Sequence, residues 1–269
     1  MREQTRSRIA TGLERAGLLG PVARMREGWL SLRAGRGPEI GPDGLPLPPP
    51  RLRLLVDGRS AGAEHYLQVG AQMFSSIRAA VADAGTPAEQ LGSVLDFGCG
   101  CGRVARYWTG VDGPELSGCD YNGDLTGWCE ANLPFMRVAK NDVAPPTPYE
   151  SQSFDLIYAL SVLSHLDRPL QEGWVNEFRR LLRPGGLLVI SVLGEMVRHR
   201  LSPEQSERFA RGELIVERPR MAGRNLCTAY HPESFVRDDL LADFAEVRRF
   251  ELGSPELVMS QDAYLARVP

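Results

Sequence analysis

Lysine is almost missing from this 269-residue chain, where Lys140 stands alone against thirty arginines. That imbalance reads as a coding bias rather than as guanidinium chemistry. Aromatic residues are sparse at 7%, and no run of about 18 apolar residues occurs, so no transmembrane segment is expected. The first residues carry arginines but no continuous apolar stretch behind them, so a secretory leader is not expected either. The cysteines (Cys99, Cys101, Cys119, Cys129 and Cys227) are odd in number. Without a leader they read as reduced thiols in a cytoplasmic protein. A basic surplus is missing too. Residues 1–36 hold eight Arg and three Glu, about +5, so the remainder carries about −8 of the net −3. An acidic body speaks against a nucleic-acid partner. What is present is an ordinary globular mixture, 43% hydrophobic and 24% charged, enough for one sizeable α/β domain with extra helices and no metal or disulfide staple.

The chain divides by composition. Residues 1–36 are Arg-rich with Val22, Met25, Trp29 and Leu32 at helical spacing, which predicts a helix. Residues 37–50 (GPEIGPDGLPLPPP) read as an extended linker, because proline fixes φ and removes a donor. The boundary expected from this is 1–50 as a helical segment and linker, and 51–269 as the main domain. Within the latter, 51–90 reads as a helical cap, 91–194 as the core, 195–230 as an insertion, and 231–269 as a closing helix and hairpin. Apolar runs at 94–97, 116–119, 135–139, 155–160 and 187–193 alternate with helical stretches, the pattern of parallel strands joined by right-handed crossovers. The clearest helix is 169–183, with Leu170, Trp174, Phe178, Leu181 and Leu182 on one stripe and Pro184-Gly185-Gly186 as its stop. A further helix is expected from Pro232, and two strands near 245–252 and 257–267.

The strongest local signal is Val94-Leu95-Asp96-Phe97-Gly98-Cys99-Gly100-Cys101-Gly102-Arg103. An apolar strand ends on an acid and turns through Gly-x-Gly-x-Gly toward an expected helix. Glycines permit positive φ and let a ligand lie against bare backbone, and a helix start would add free N–H groups. A dinucleotide fingerprint would space its third glycine one residue later. Asp96 would repel a pyrophosphate but suits an ammonium group.

Residues 94–106 resemble motif I of the class I S-adenosylmethionine-dependent methyltransferases. Gly118-Cys119-Asp120-Tyr121 resembles the end of that family's second strand, with Asp120 24 residues beyond Asp96. Asn141-Asp142-Val143, the run 154–166, and Leu181–Ile190 resemble the segments that follow. The resemblance implies an α/β, Rossmann-like, doubly wound fold. Its sheet would have seven mostly parallel strands with an antiparallel last strand, plus an N-terminal helical cap. It implies S-adenosylmethionine as cofactor. Asp96, Gly98, Cys99, Gly100 and Gly102 would hold the methionine part, and Asp120 the ribose hydroxyls. Tyr121, Asp142 and Val143 would lie at the adenine, with the Ala159 and Leu160 carbonyls facing the methionine. The implied partner is a small-molecule methyl acceptor, methylated on O or N, with a glycan or secondary metabolite left open. Two rival readings are a cofactor-binding relative with another reaction, such as a cyclisation, and a scaffold without turnover.

His165 follows the fourth strand and titrates near neutrality, so it is the candidate catalytic base; packing or helix capping is the competing reading. Asp155 inside an apolar strand reads as a structural cap. Tyr66, Glu195, Tyr230 and His231 are candidates for the acceptor pocket, each with a packing alternative. Cys99 and Cys101 lack companions for a zinc site and read as small residues filling the turn. Trp108 and Trp174 fit helix core faces.

Overall fold

The computed structural model describes residues 39–58, 60–223, 226–253 and 261–269. The helix expected within 1–36 therefore lies outside the described residues, as does the start of the strand expected at 257. The chain forms two compact units that divide between Tyr66 and Leu67. In the first, helix α1 (Pro50–Asp57) begins with proline in its first turn and ends at Gly58, whose φ of 74° provides the left-handed cap. The buried Arg53 guanidinium is held by the Ala61 carbonyl and the Glu39 carboxylate. Helix α2 (Ala63–Asp83) begins in the first unit, continues into the second as one helix and stops before Gly85.

The second unit is built on a seven-stranded sheet. Its strands are β1 (Ser93–Phe97), β2 (Glu115–Asp120), β3 (Met136–Lys140), β4 (Phe154–Ala159), β5 (Leu182–Val192), β8 (Glu246–Leu252) and β9 (Gln261–Arg267). They lie in the order β3-β2-β1-β4-β5-β9-β8. The first five run parallel, and β9, last in the chain, is antiparallel to both β5 and β8. This is the fold the sequence predicts. The chain winds outward from β1 through β2 to β3, then returns to β4 on the other side of β1. Reversal at that point leaves a crevice at the carboxyl edge between β1 and β4, where ligands of open α/β sheets bind. β6 (Ile215–Glu217) and β7 (Thr228–Tyr230) make a separate ribbon in the insertion.

Helix α3 (Gly123–Asn132) joins β2 to β3. Helix α4 (Arg168–Leu181) starts where Asp167 Oδ1 accepts from Leu170 N at 3.3 Å. Its buried stripe brings Trp174 and Phe178 to 4.5 and 4.8 Å from the Phe97 ring, locking the helix onto the end of β1. Three expectations are corrected. Helix α4 stops at Leu181 rather than at Pro184-Gly185-Gly186, because Leu182 already pairs with Phe154 and the bulge that follows absorbs the Pro-Gly-Gly turn into β5. The helix expected after the glycine turn is only a 3-10 helix, Ala105–Gly110. Positive φ at Gly100 and Gly102 keeps the preceding turn out of α geometry. Near Pro232 the chain forms a π-helical segment, Phe235–Leu240.

Asp155 is structural, as expected, but caps no helix. Its Oδ2 accepts from Gly92 N at 2.8 Å and Ser93 N at 2.9 Å, while Arg183 Nη1 donates to Oδ1 at 2.7 Å. Burial opposes its charge, but these donors prevail and hold its pKa below the usual carboxylate value. Such a group stabilises the fold above its unfolded pKa and loses that effect as pH falls through its folded pKa. Asp155→Asn is expected to lower unfolding free energy by about 1–3 kcal/mol at neutral pH. The loss should shrink in acid, as read from urea midpoints at both pH values.

Candidate active site

The sheet register assembles the site. Asp96 pairs with Gly118 on one side and Tyr158 on the other. The glycine on β2 leaves no side chain against Asp96; a Cβ there would stand 2.8 Å from Met136 Sδ and 3.2 Å from Cys99 Sγ. Beyond β1 the turn folds back over the end of β2. Gly98 N and Cys99 N both donate to the Cys119 carbonyl, at 2.8 and 3.0 Å, and Gly100 N donates to Asp120 Oδ2 at 3.0 Å. Asp120 Oδ1 accepts from Asn122 N at 2.8 Å. The glycines are needed. Gly98 has φ 73°, and a Cβ on it would meet Val162 Cγ2 at 2.5 Å; Gly102 has φ 72°, and its Cβ would meet Leu133 Cδ1 at 2.3 Å.

The two acids are thus neighbours, both buried. Burial pushes Asp96 up to about 7; the nearby Asp120 charge adds to this, while Tyr158 and Arg103 work against it. Asp120 is also raised by burial, with the backbone N–H groups of Asn122, Gly100 and Tyr121 opposing. The Tyr158 hydroxyl is close enough to favour the charged Asp96, yet completes no full hydrogen bond. Trp108 stacks 6.1 Å from Tyr158, and its indole N–H also lacks a partner among the described residues. Next to Asp120, Asn141 N donates to the Asp120 carbonyl at 3.2 Å, while its buried Oδ1 is unsatisfied.

The other predicted residues fall around this pair. Tyr121 and Val143 are exposed large hydrophobics, 43% and 40% accessible, on the β2 and β3 side. Asp142 is exposed beside Val143, whose carbonyl accepts from Trp174 Nε1 at 3.0 Å. Ala159 ends β4 and Leu160 follows it. Cys99 offers the site only its backbone. Its thiol is buried against the Gly100 carbonyl, which Cys129 Sγ also contacts at 3.4 Å. The hydrogen bond with Cys129, then burial, holds the Cys99 thiol well above its ordinary pKa.

His165 ends a 3-10 turn after β4, and the insertion folds onto it. Gly223 N donates to the His165 carbonyl at 2.8 Å, and a Cβ on Gly223 would meet Val143 Cγ1 at 2.6 Å. His165 Nδ1 bonds the Cys227 carbonyl at 2.9 Å. A carbonyl only accepts, so Nδ1 carries the proton and Nε2 keeps its lone pair. Burial lowers the His165 pKa, against the opposing pull of that carbonyl, so the ring is neutral near pH 7.

Two pocket candidates move inward. Tyr230 is buried in a cluster with Val197, Phe209 and Ile215. His231 is fully buried on Gln171 Oε1 at 3.1 Å, and burial pushes it down to about 3. Both carry packing rather than pocket surface. Glu195 is exposed and faces Arg198. The residues that sequence reasoning missed are Tyr158 and Trp108. Tyr158 was visible only as an apolar-strand residue; register alone puts it beside Asp96.

Residues 69–244 match the family described as a methyltransferase domain. The chain is 29% identical over 147 residues to the malonyl-[acyl-carrier protein] O-methyltransferase of Enterobacter lignolyticus, covering 55% of this chain and 56% of that protein. It is 34% identical over 99 residues to the sterol 24-C-methyltransferase of Schizosaccharomyces pombe, covering 35% and 26%. The chain thus spans about half, or less, of the length of these curated relatives. Among solved structures, the Burkholderia thailandensis 1,6-didemethyltoxoflavin-N1-methyltransferase, with its substrate and S-adenosylhomocysteine bound, superposes with a TM-score of 0.55. Identity is 21%, over 88% of this chain and 96% of that one.

The fold and the matched family define a class I S-adenosylmethionine-dependent methyltransferase. This chain belongs to the methyltransferase-domain family over residues 69–244.

The site residues fit the cofactor. A bare-backbone turn, two buried acids and the unsatisfied Tyr158, Trp108 and Asn141 atoms form a polar frame for an amino acid joined to a nucleoside. Because Asp96 is half-protonated near pH 7 without a ligand, binding a cationic ammonium group should release its proton. Affinity for S-adenosylhomocysteine is expected to fall about tenfold per pH unit below about 7 and to level off above it. Calorimetry across that range reads the slope, and Asp96→Asn should abolish it. A flat profile in the native protein refutes the linkage.

Proposed function

We propose that this chain transfers a methyl group from S-adenosylmethionine to an oxygen or nitrogen of a small-molecule acceptor. The observation that carries this reading is the convergence of Asp96, the Gly98–Gly102 turn and Asp120 at the carboxyl edge where strand order reverses. The bound cofactor supplies a methyl group already activated by the sulfonium charge. Asp96 would accept from the ammonium group, and Asp120 from the vicinal ribose hydroxyls through the lone pairs that Gly100 and Asn122 leave over. Tyr121 and Val143 would flank the adenine, with Asp142 at its amino group. The chain's remaining task is to align the nucleophile and exclude water. The insertion, seated on Val143 and His165, supports the second of these.

His165 would take the acceptor's proton on Nε2, since Nδ1 is committed to Cys227. The relatives leave the acceptor's class open. One bears a name for O-methylation of a carrier-bound malonyl group, another for C-methylation of a sterol, and the structural neighbour for N-methylation of a heterocycle. A carrier-bound or free carboxylate is therefore among the acceptors to be tested, beside phenols and amines. The intact pair of acids weighs against a scaffold without turnover.

Release of S-adenosylhomocysteine with these acceptors separates methyl transfer from cyclisation or scaffolding. Asp120→Ala is expected to weaken S-adenosylhomocysteine binding by about tenfold or more, because it removes a charge-assisted acceptor. Unchanged affinity in calorimetry would refute the ribose role. His165→Gln is expected to lower turnover about 10²-fold while leaving cofactor affinity intact. A loss of only a few-fold would assign His165 to packing.

A further inference from the structure

A second polar constellation lies on the other half of the carboxyl edge. Ser161 follows β4, Ser191 lies near the end of β5, and Gln261 opens the antiparallel β9, so all three meet at one edge of the sheet. Ser161 adopts φ 59°, a strained backbone for a residue with a side chain. It is held there because its N–H donates to Ser191 Oγ at 2.7 Å and its hydroxyl donates to Gln261 Oε1 at 2.9 Å. Ser191 Oγ donates to the same Oε1 at 2.6 Å. That separation suits O–H···O and is shorter than N–H···O bonds, so the amide oxygen, not its nitrogen, faces the serines. Gln261 is 5% exposed, and no acceptor among the described residues takes the two N–H groups on its Nε2.

The place of these donors matters. The next residue, Val162, lies against Gly98, so the Ser161 turn adjoins the glycine turn. Asp120, Tyr121 and Val143 occupy the β2 and β3 half of the edge, and the β4, β5 and β9 half remains for the acceptor. Two serine hydroxyls that converge on one amide oxygen, one of them carried on strained backbone, match a residue preorganised for a ligand. Its chemistry selects an oxygen acceptor, since an N–H pair has nothing to offer an ammonium group.

We propose that Gln261 recognises the methyl acceptor, donating its carboxamide N–H groups to a carbonyl or carboxylate oxygen close to the atom that is methylated. This inference rests on the methyl-transfer reading of the neighbouring site. Ser161 and Ser191 are positioning residues that act through Gln261.

The test uses the full-length protein labelled with ¹⁵N and saturated with S-adenosylhomocysteine. The Gln261 side-chain amide signals are identified by their loss in Gln261→Met. Acetate and acetamide serve as probes, one a carboxylate and the other a neutral carbonyl. At least one is expected to shift the Gln261 amide signals saturably, and which one does so distinguishes the two oxygens. Gln261→Met is expected to weaken that probe about tenfold or more while S-adenosylhomocysteine affinity stays within about twofold. Ser191→Ala keeps the amide but removes one anchor, and should weaken the probe less; it carries the test if the methionine variant does not fold. The proposal is overturned if neither probe moves the amide signals. It is equally overturned if Gln261→Met loses cofactor and probe affinity in parallel, which would place the amide in the cofactor site. Failure of the native protein to bind S-adenosylhomocysteine at all would be a different result: it removes the parent reading, and this one with it.

Discussion

Two carboxylates are buried at the ends of adjacent strands, and the site is organised around the cost of taking them out of water. Asp96 and Asp120 sit where β1 and β2 stop, under a turn that must bring backbone rather than side chains to them. The structure treats the two acids differently. Asp120 accepts from the backbone N–H groups of Gly100 and Asn122, which offset part of the rise that burial imposes on it. Asp96 receives no comparable set, and burial lifts it to about 7. One acid is thus held by the fold, while the other is left for a cation to stabilise. An unliganded protein tolerates this because Asp96 can take up a proton instead.

The glycines follow from the same constraint. A side chain at position 98 would strike Val162, and one at 118 would strike Met136 and Cys99. The close approach of Gly70 to the Arg103 carbonyl, where an added Cβ would come within 2.2 Å, extends the pattern to α2. Bare backbone is used where the main chain packs directly against a neighbouring side chain or carbonyl. Gly185, by contrast, serves an ordinary turn: its φ is 75°, and an added Cβ would meet nothing within 4 Å.

Much of this was legible in the sequence for a simple reason. Strands β1 and β4 and most of β5 are buried on both faces and appear as short apolar runs, and the acids stand out as polar residues near the ends of β1 and β2. What was hidden depends on register or on distant pairing. Tyr158 looks like any residue of an apolar strand until its pairing with Asp96 is known. Tyr230 and His231 looked like pocket residues because polar aromatics in an insertion suggest a surface, but β7 bridges to Leu193 and carries both into the interior. The helix expected after the glycine turn is a short 3-10 segment instead. The glycines that open the ligand site also disrupt the first helical turn, and one local signal cannot maximise both.

The proposed acceptor half of the edge is hard to read in any single sequence, because its residues meet only across distant strands. The cofactor half is made from residues between Asp96 and Leu160, on consecutive strands. The serine–glutamine set joins Ser161 to a residue 100 positions away, through β9, a strand that runs against its neighbours. An antiparallel strand delivers its first residue, not its last, to the carboxyl edge of the sheet. Gln261 therefore stands at the beginning of an apolar run, where a polar residue looks like a mere boundary. Its burial, its two hydroxyl partners and the strained Ser161 backbone together distinguish it from one. The two halves also differ in charge. The cofactor half uses carboxylates, which suit the fixed cationic ligand of the family, whereas the acceptor half presents neutral donors and a neutral imidazole. A neutral site does not compete electrostatically with the acids for the sulfonium-bearing ligand, and it leaves the acceptor's own charge free to decide affinity.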